Sequence, residues 1–401
     1  MDLRLPVELD DLRTLVRRVV VDHLLPHEAA LERHGTLPAD VWAELEGRSR
    51  ALGLHALGVP AEHGGAGLDT LGQLVAAEEM GRVAVGFRHI VGTPAGAPVV
   101  AAFGTPEQHR RYLQPWLAGE RWGAWAATEP GAGSDLGAMT TTARRDGAGW
   151  VLSGGKHFVT GLDRADFVIT FAKTSRDRGV RGLTAFLVDL DRAGVVRGRE
   201  QVMMGRGGLH SFELHFDDVV LPDGARLGDV DGGFALLIKD VSRMRLLLAG
   251  HCLGVAARLL HLAAEWGRSR VQFGRPIGEF GALQWSLADT AAELVTVRAA
   301  TYQAAVLVDA GQEARAESAI AKAFASELAF RAADRTLQIF GGSGYCRDLP
   351  VEALFRAVRL WRIAEGTSEI QRMLVGRELD GGWRPAGMGI GTEQLEEVGA
   401  S

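Results

Sequence analysis

The stretch WRIAEGTSEIQR, residues 361–372, delivers the Glu365 carboxylate straight into Gly366-Thr367-Ser368, after which a polar helix begins. Thr367 or Ser368 can cap that helix, and Ser368-x-x-Gln371 reads as a capping box. Glu365 then lies just outside the helix on a glycine-hinged loop, where rigid neighbouring elements can present a reactive group. A carboxylate in such a place suits general-base chemistry. By spacing alone, however, a surface acid stabilised by the helix dipole is the simpler reading.

A second stretch, WAATEPGAGSD (125–135), clusters two glycines and Pro130 around the hydroxyls of Thr128 and Ser134. Glycines let the backbone approach a flat or anionic ligand. Exposed N–H groups in such turns can cradle a phosphate. An ordinary tight turn would use the same residues.

These residues need elements to hold them. Leu12, Leu15, Val16, Val19 and Leu24 recur at helical spacing. Asp40 and Asp69 each stand where a helix would be capped, and Pro106 suits a first helical turn. From residue 122 the texture changes to short β-branched or aromatic runs, such as ADFVITFAKT and LTAFLVDL, separated by turns such as Asp146-Gly147. That pattern predicts an antiparallel barrel or sandwich without βαβ units. From Gly233 long helical periodicities return over 234–265, 281–310 and 314–340, predicting an antiparallel bundle. The fold class is therefore α+β multidomain: an N-terminal helical domain (1–121), a middle antiparallel β domain (122–232), a C-terminal four-helix bundle (233–380) and a frayed tail (381–401).

Composition narrows the function. The chain has 401 residues and a net charge of -6, which argues against bulk nucleic-acid binding. It lacks Asn, so no N-x-S/T glycosylation site exists. Only Cys252 and Cys346 occur, which is no disulfide framework and fits a reducing compartment. The N-terminus shows no signal-peptide pattern, and no run approaches about 18 uninterrupted apolar residues. A cytoplasmic protein without membrane or nucleic-acid partners is the expectation. No Rossmann turn, P-loop or H-E-x-x-H is present, and the histidines are scattered, so no metal site is expected.

Several stretches together resemble the acyl-CoA dehydrogenase family: WAATEPGAGSD, VLSGGKHFVTG (151–161), FGRPIGEFGALQWSLAD (273–289), LQIFGGSGY (337–345) and IAEGTSEIQR (363–372). HGGAGLD (63–69) and FDDVVLP (216–222) also fit, all in family order. The resemblance implies the same three-part architecture, FAD bound between the β domain and the bundle, and a homotetramer (a homodimer being the alternative). It also implies a flavin adenine end that touches a neighbouring subunit.

Carried over residue by residue, Thr128 matches a threonine bonded to the flavin ring. Ser134 matches a serine near the pyrophosphate and the substrate's pantetheine arm. Phe158 stands in for an aromatic packed on the flavin, with Thr160 beside it, and Trp125 replaces a Tyr or Phe. Arg270 and Phe273 match residues that reach the neighbour's FAD, and Gln338, Gly341 and Gly342 match its adenosine-diphosphate site. Thr367 and Glu369 flank the flavin beyond the catalytic acid. Taken singly, Phe158 reads as core, Arg270 as a solvated charge, Gln338 as bundle surface and Gly341-Gly342 as a helix stop.

Glu365 matches the family's catalytic base, with Gly366 beside it at the substrate. The base position used by other members falls on Met244, which cannot accept a proton, and Arg245 matches an arginine near the thioester arm. Ala364 departs from the family's usual Tyr and would admit a branched, polar or ring-bearing acyl group. Gly161 replaces the usual Asn. The implied activity is α,β-dehydrogenation of an acyl-CoA, with electron-transferring flavoprotein as oxidant. The same desaturation on an acyl-carrier-protein thioester, a flavin oxidase or monooxygenase, and a non-catalytic helical binding protein are the alternatives.

Overall fold

The structure is a computed structural model that describes residues 5–205, 207–239 and 241–384. The tail expected from 381 lies outside the described residues beyond Arg384. The first segment is helical but not uniform. Val7–Arg18 runs through a π-helical turn, Val19–Leu24, into Leu25–His34. Val16, Val19, Val20, Leu24 and Leu31 face a common core with Phe87 and Met80. Asp69 caps Thr70–Met80 by accepting the Gly72 N–H at 2.8 Å. The helix expected to start at Asp40 instead covers Ala39–Ala51 behind Pro38, so Asp40 occupies its first turn.

The strands are β1 (Gly123–Ala126), β2 (Thr142–Asp146), β3 (Gly149–Thr160), β4 (Phe167–Lys173), β5 (Leu183–Asp189), β6 (Val195–Glu200), β7 (Ser211–Pro222) and β8 (Arg226–Leu227). They form one sheet in the order β6-β7-β3-β2-β4-β5-β8. Its long pairings are antiparallel, whereas β1 joins β4 in parallel, and β2 meets β4 in parallel at Thr142 and Lys173. β5 is buried along its whole length. Its Leu183, Ala185 and Leu187 pack towards Trp116 and Phe167, while Phe186 and Val188 pack towards Trp150 and Val219. A strand buried on both faces reads as a continuous apolar run rather than an alternating one, as LTAFLVDL does.

The bundle comprises Val241–Ser269, Gly281–Asp309, Arg315–Phe340 and Ser368–Asp380. Small residues Ala321, Ala325, Ala329 and Ala332 meet Leu246, Leu253 and Leu259 in its core. The Thr70–Met80 helix also enters this core through Leu74. Gly254 makes that approach possible, since a Cβ there would lie 1.9 Å from the Glu78 carbonyl oxygen. Across Gly233–Ser269 one window has a mean hydropathy of 1.6, as apolar as a membrane span, but 61% of it is buried within the protein. A bundle's central helix and a membrane span share that composition.

Candidate active site

The Glu365 loop is built from strain and two captured carbonyls. Glu365 has φ +54° and Gly366 φ +84°. A left-handed non-glycine residue persists only where its surroundings hold it. Here Gln371 Nε2 donates to the Glu365 and Gly366 carbonyls, each at 3.0 Å, and buried Lys322 Nζ donates to Gly366 O at 2.6 Å. The capping box expected at Ser368 is absent. Thr367 is the N-cap, with Oγ1 accepting the Ile370 N–H at 3.3 Å. Ser368 instead donates to Glu327 at 3.0 Å. Gln371 serves the loop rather than the helix end because the left-handed turn leaves two carbonyls in need of donors.

Glu365 itself is exposed. Its backbone N–H donates to no protein acceptor among the described residues. Ala364 packs on the bundle core beside Trp361. Three cations lie within electrostatic reach of the carboxylate. Burial lowers the pKa of Arg245, and Glu365 raises it back. Arg245 is 9% exposed and its Nε has no partner. Arg88 shows the same two influences. Burial pushes Lys322 down to about 8, opposed chiefly by Cys252 and Glu365. Glu369 is fully exposed; its own backbone N–H and the Thr367 hydroxyl hold its carboxylate below the usual range.

A second group gathers on the sheet. The β3–β7 register shifts between Lys156 and Val159, which leaves His157 and Phe158 in a bulge. Bulges re-aim side chains. Phe158, at φ +58°, is turned outward and 55% exposed. The His157 N–H donates to Thr128 O at 2.8 Å, fastening the TEPGAGSD loop beside Phe158 and half-buried Thr160. Trp125 is half-buried, its ring 5.0 Å from that of Phe171. Ser134 is exposed, and the N–H groups of Gly131, Gly133 and Ser134 have no protein acceptor among the described residues. An outward aromatic offers a stacking face, and amides without an acceptor among the described residues offer anion donors, a combination that suits a flat ring carrying a pyrophosphate.

Two groups that the sequence did not single out secure this loop. Lys156 Nζ meets Glu129 Oε1 at 2.8 Å with both side chains buried. Glu129 also accepts the Thr140 N–H at 2.6 Å and the Thr141 N–H at 3.0 Å. Burial opposes its ionisation, but Lys156 and these donors outweigh it and bring Glu129 to about 2. Burial dominates for Lys156, which falls to about 8 despite Glu129. The signal was present as the acid inside TEPGAG and the lysine of the GGKHFVTG run, but their pairing depends on β3, which carries that lysine, folding over the loop.

The remaining expected residues stand elsewhere. Arg270 is exposed at the base of a small hairpin, Val271–Gln272 against Arg275–Pro276, and Phe273 at its tip is 92% exposed with φ +51°. Trp266 stacks on Phe340 with centroids 4.5 Å apart, which puts this hairpin at the same bundle end as exposed Gln338, Gly341 and Gly342. Lys322 and Phe340 share one helix, and at a rise of 1.5 Å per residue they stand roughly 27 Å apart. The hairpin is therefore remote from Glu365 of its own chain.

Three family models match in sequence. They are the acyl-CoA dehydrogenase N-terminal domain over residues 6–120, the middle domain over 124–219 and the C-terminal domain over 231–379. A Bacillus subtilis (strain 168) protein named acyl-CoA dehydrogenase is 35% identical over 373 residues, covering 92% of this chain and 97% of its own. A 3-(aryl)acrylate reductase of Clostridium sporogenes (strain ATCC 15579) is 35% identical over 371 residues, with the same coverage. The solved FAD complex of PigA superposes with a TM-score of 0.89 at 28% identity, covering 95% of this chain and 99% of that one. By full-length identity, all three domain matches and the shared architecture, this chain belongs to the acyl-CoA dehydrogenase family.

Proposed function

We propose that the protein uses FAD to desaturate an acyl-CoA between its α and β carbons, with Glu365 as the base that takes the α-proton. The observation that carries this reading is the Glu365 loop. It is strained, pinned by Lys322 and Gln371, and left with an accessible carboxylate and an N–H that has no acceptor among the described residues. An α-proton beside a thioester is only weakly acidic, so the charge that develops on the thioester oxygen needs a donor aimed at it in advance. The Glu365 N–H is such a donor. Nearby Arg245 suits the thioester arm, while Thr128, Phe158, Thr160 and the free amides of the 131–134 turn suit the cofactor. FAD, when bound, supplies the two-electron acceptor for the β-hydrogen. Electron-transferring flavoprotein is the oxidant that the family resemblance implies.

A second reading runs the same site in reverse, as reduction of an enoyl-CoA. The relative named 3-(aryl)acrylate reductase favours it. One anaerobic experiment tests both. Saturated acyl-CoA thioesters of varied length and branching are mixed with the FAD-loaded enzyme, and matching enoyl-CoAs with the reduced enzyme. Bleaching by a saturated thioester supports desaturation. Reoxidation by enoyl thioesters alone supports the reductase direction, and no response from either set removes the assignment.

A further inference from the structure

We propose that Glu327 is a positioning residue for the reaction: its carboxylate clasps the two ends of the Glu365 loop and so sets where the base stands. The inference rests on the assignment of Glu365 as the base and names a group that acts through it.

The clasp is built from one helix, Arg315–Phe340, which carries Glu327 and, one turn on, Phe330. A single oxygen of Glu327, Oε1, lies 3.0 Å from Arg362 Nε and accepts the Ser368 hydroxyl at 3.0 Å. Arg362 ends the turn that precedes the loop, and Ser368 opens the helix that follows it. Two atoms each 3.0 Å from one oxygen cannot stand further apart than twice that distance, so the loop's ends are held together at one point. The Phe330 ring steadies Arg362 from the same helix, with its centroid 5.2 Å from the guanidinium carbon. Arg372 brings a second cation to 3.9 Å from the shared oxygen and donates to Ser368 O at 3.1 Å.

Between these ends run Ile363, Ala364, Glu365, Gly366 and Thr367, of which Glu365 and Gly366 are left-handed. Lys322 and Gln371 hold only the carbonyls of residues 365 and 366. On the leading side the Ala364 N–H donates to Leu360 O at 3.0 Å, so the preceding turn continues up to the residue before the base. How that turn is set against the following helix decides where the Glu365 side chain points, and the Glu327 oxygen is the atom that ties one to the other.

The plainer role, an ion pair that merely stabilises the bundle, accounts for less. Partly exposed pairs contribute little to stability. Such a pair would also need only a cation, whereas this carboxylate takes a neutral hydroxyl from beyond the loop as well. Ser368 is 2% exposed and gives its hydroxyl to Glu327 rather than to the helix end, which Thr367 caps. Positioning has a long lever, since a displacement of about 1 Å at a reacting group can slow a reaction about 10²-fold.

The test uses the full FAD-loaded protein with butyryl-CoA and hexanoyl-CoA as probes. Anaerobic stopped-flow gives the reduction rate per bound flavin at saturating thioester, isothermal titration gives affinity, and hydrogen exchange by mass spectrometry reads the amides of 361–372. Glu327→Ala should slow reduction per bound flavin about 10- to 100-fold and change thioester affinity less than about threefold. Exchange across 361–372 should be at least about 10-fold faster. Glu327→Gln, which keeps an acceptor for Ser368, should recover part of the rate. Ser368→Ala should slow the wild type but add little to Glu327→Ala, because both substitutions remove one bond. A purely structural role would lower flavin content and the urea midpoint yet leave the rate per bound flavin intact, and that result overturns the proposal. Unchanged exchange at 361–372, or full additivity of the two substitutions, does the same. Should Glu327→Ala fail to retain FAD, Glu327→Gln and Ser368→Ala are judged by the same rate and exchange criteria. Normal reduction by Glu365→Gln, with faster loop exchange in the Glu327 variants, would defeat the base assignment and keep the clasp. Slow Glu365→Gln beside wild-type rates in the Glu327 variants would do the opposite.

Discussion

Lys322 Nζ lies 2.6 Å from the carbonyl oxygen of Gly366, so a fully buried ammonium holds the peptide that follows Glu365. Burial has lowered the pKa of that ammonium from 10.5 to about 8. As pH rises through 8 the folded protein loses this proton, whereas the unfolded chain keeps it to about 10.5. The burial cost is therefore full below pH 8 and is relieved between 8 and 10.5. Stability relative to Lys322→Met should rise across that window, while flavin reduction by substrate should slow as the cationic donor is lost. Rapid-mixing rates and urea midpoints from pH 7 to 10 check both. A flat rate profile in the wild type, or an unchanged one in Lys322→Met, would remove the positioning role.

Glu365→Gln keeps the loop's shape but cannot accept the α-proton. FAD content should be unchanged and substrate reduction of the flavin at least about 10²-fold slower. Stopped-flow absorbance under anaerobic conditions measures it. Reduction at near the wild-type rate would show that another group is the base.

Glu129→Gln should destabilise the protein by about 1–3 kcal/mol at pH 7, because the Thr140 and Thr141 donors and the Lys156 amine, which burial then drives towards its neutral form, lose their charged partner. The folded pKa of Glu129 is depressed, so its contribution is complete above about 4.5 and is lost as pH falls through 2. The gap between wild type and variant should accordingly narrow below pH 4.5. Urea unfolding at pH 7 and pH 3 gives the comparison. A gap of equal size at both would contradict the pairing.

Arg270 and Phe273 stand at the bundle end opposite the Glu365 loop, and Phe273 exposes nearly its whole ring. We propose that a second copy of the chain, in a homotetramer, covers this hairpin and shares FAD through it. Arg270→Ala should then weaken FAD retention and assembly together, measured by the 280/450 nm absorbance ratio and light scattering. Full flavin occupancy in an unaltered oligomer would separate this residue from the cofactor.

Much of this protein was legible in its residues. The change from a period of 3.6 to short β-rich runs near residue 122, and back near 233, marks where helices give way to strands and return, because each element must repeat its apolar face at its own pitch. The chain also places Glu365 before a glycine and a capping threonine, and gathers Thr128, Gly131, Gly133 and Ser134 in one loop. Tertiary structure alone decided the rest. It bonds Lys322 to Gly366, turns Gln371 from a helix cap into a clasp on the loop, and pairs β1 with β4 in parallel. The bulge that turns Phe158 outward is a register shift against β7, and the N-terminal helices reach the bundle core through Leu74 only by docking on it. Local spacing can specify a helix or a loop, whereas register, burial and the partner of a charge depend on chain segments brought together by packing.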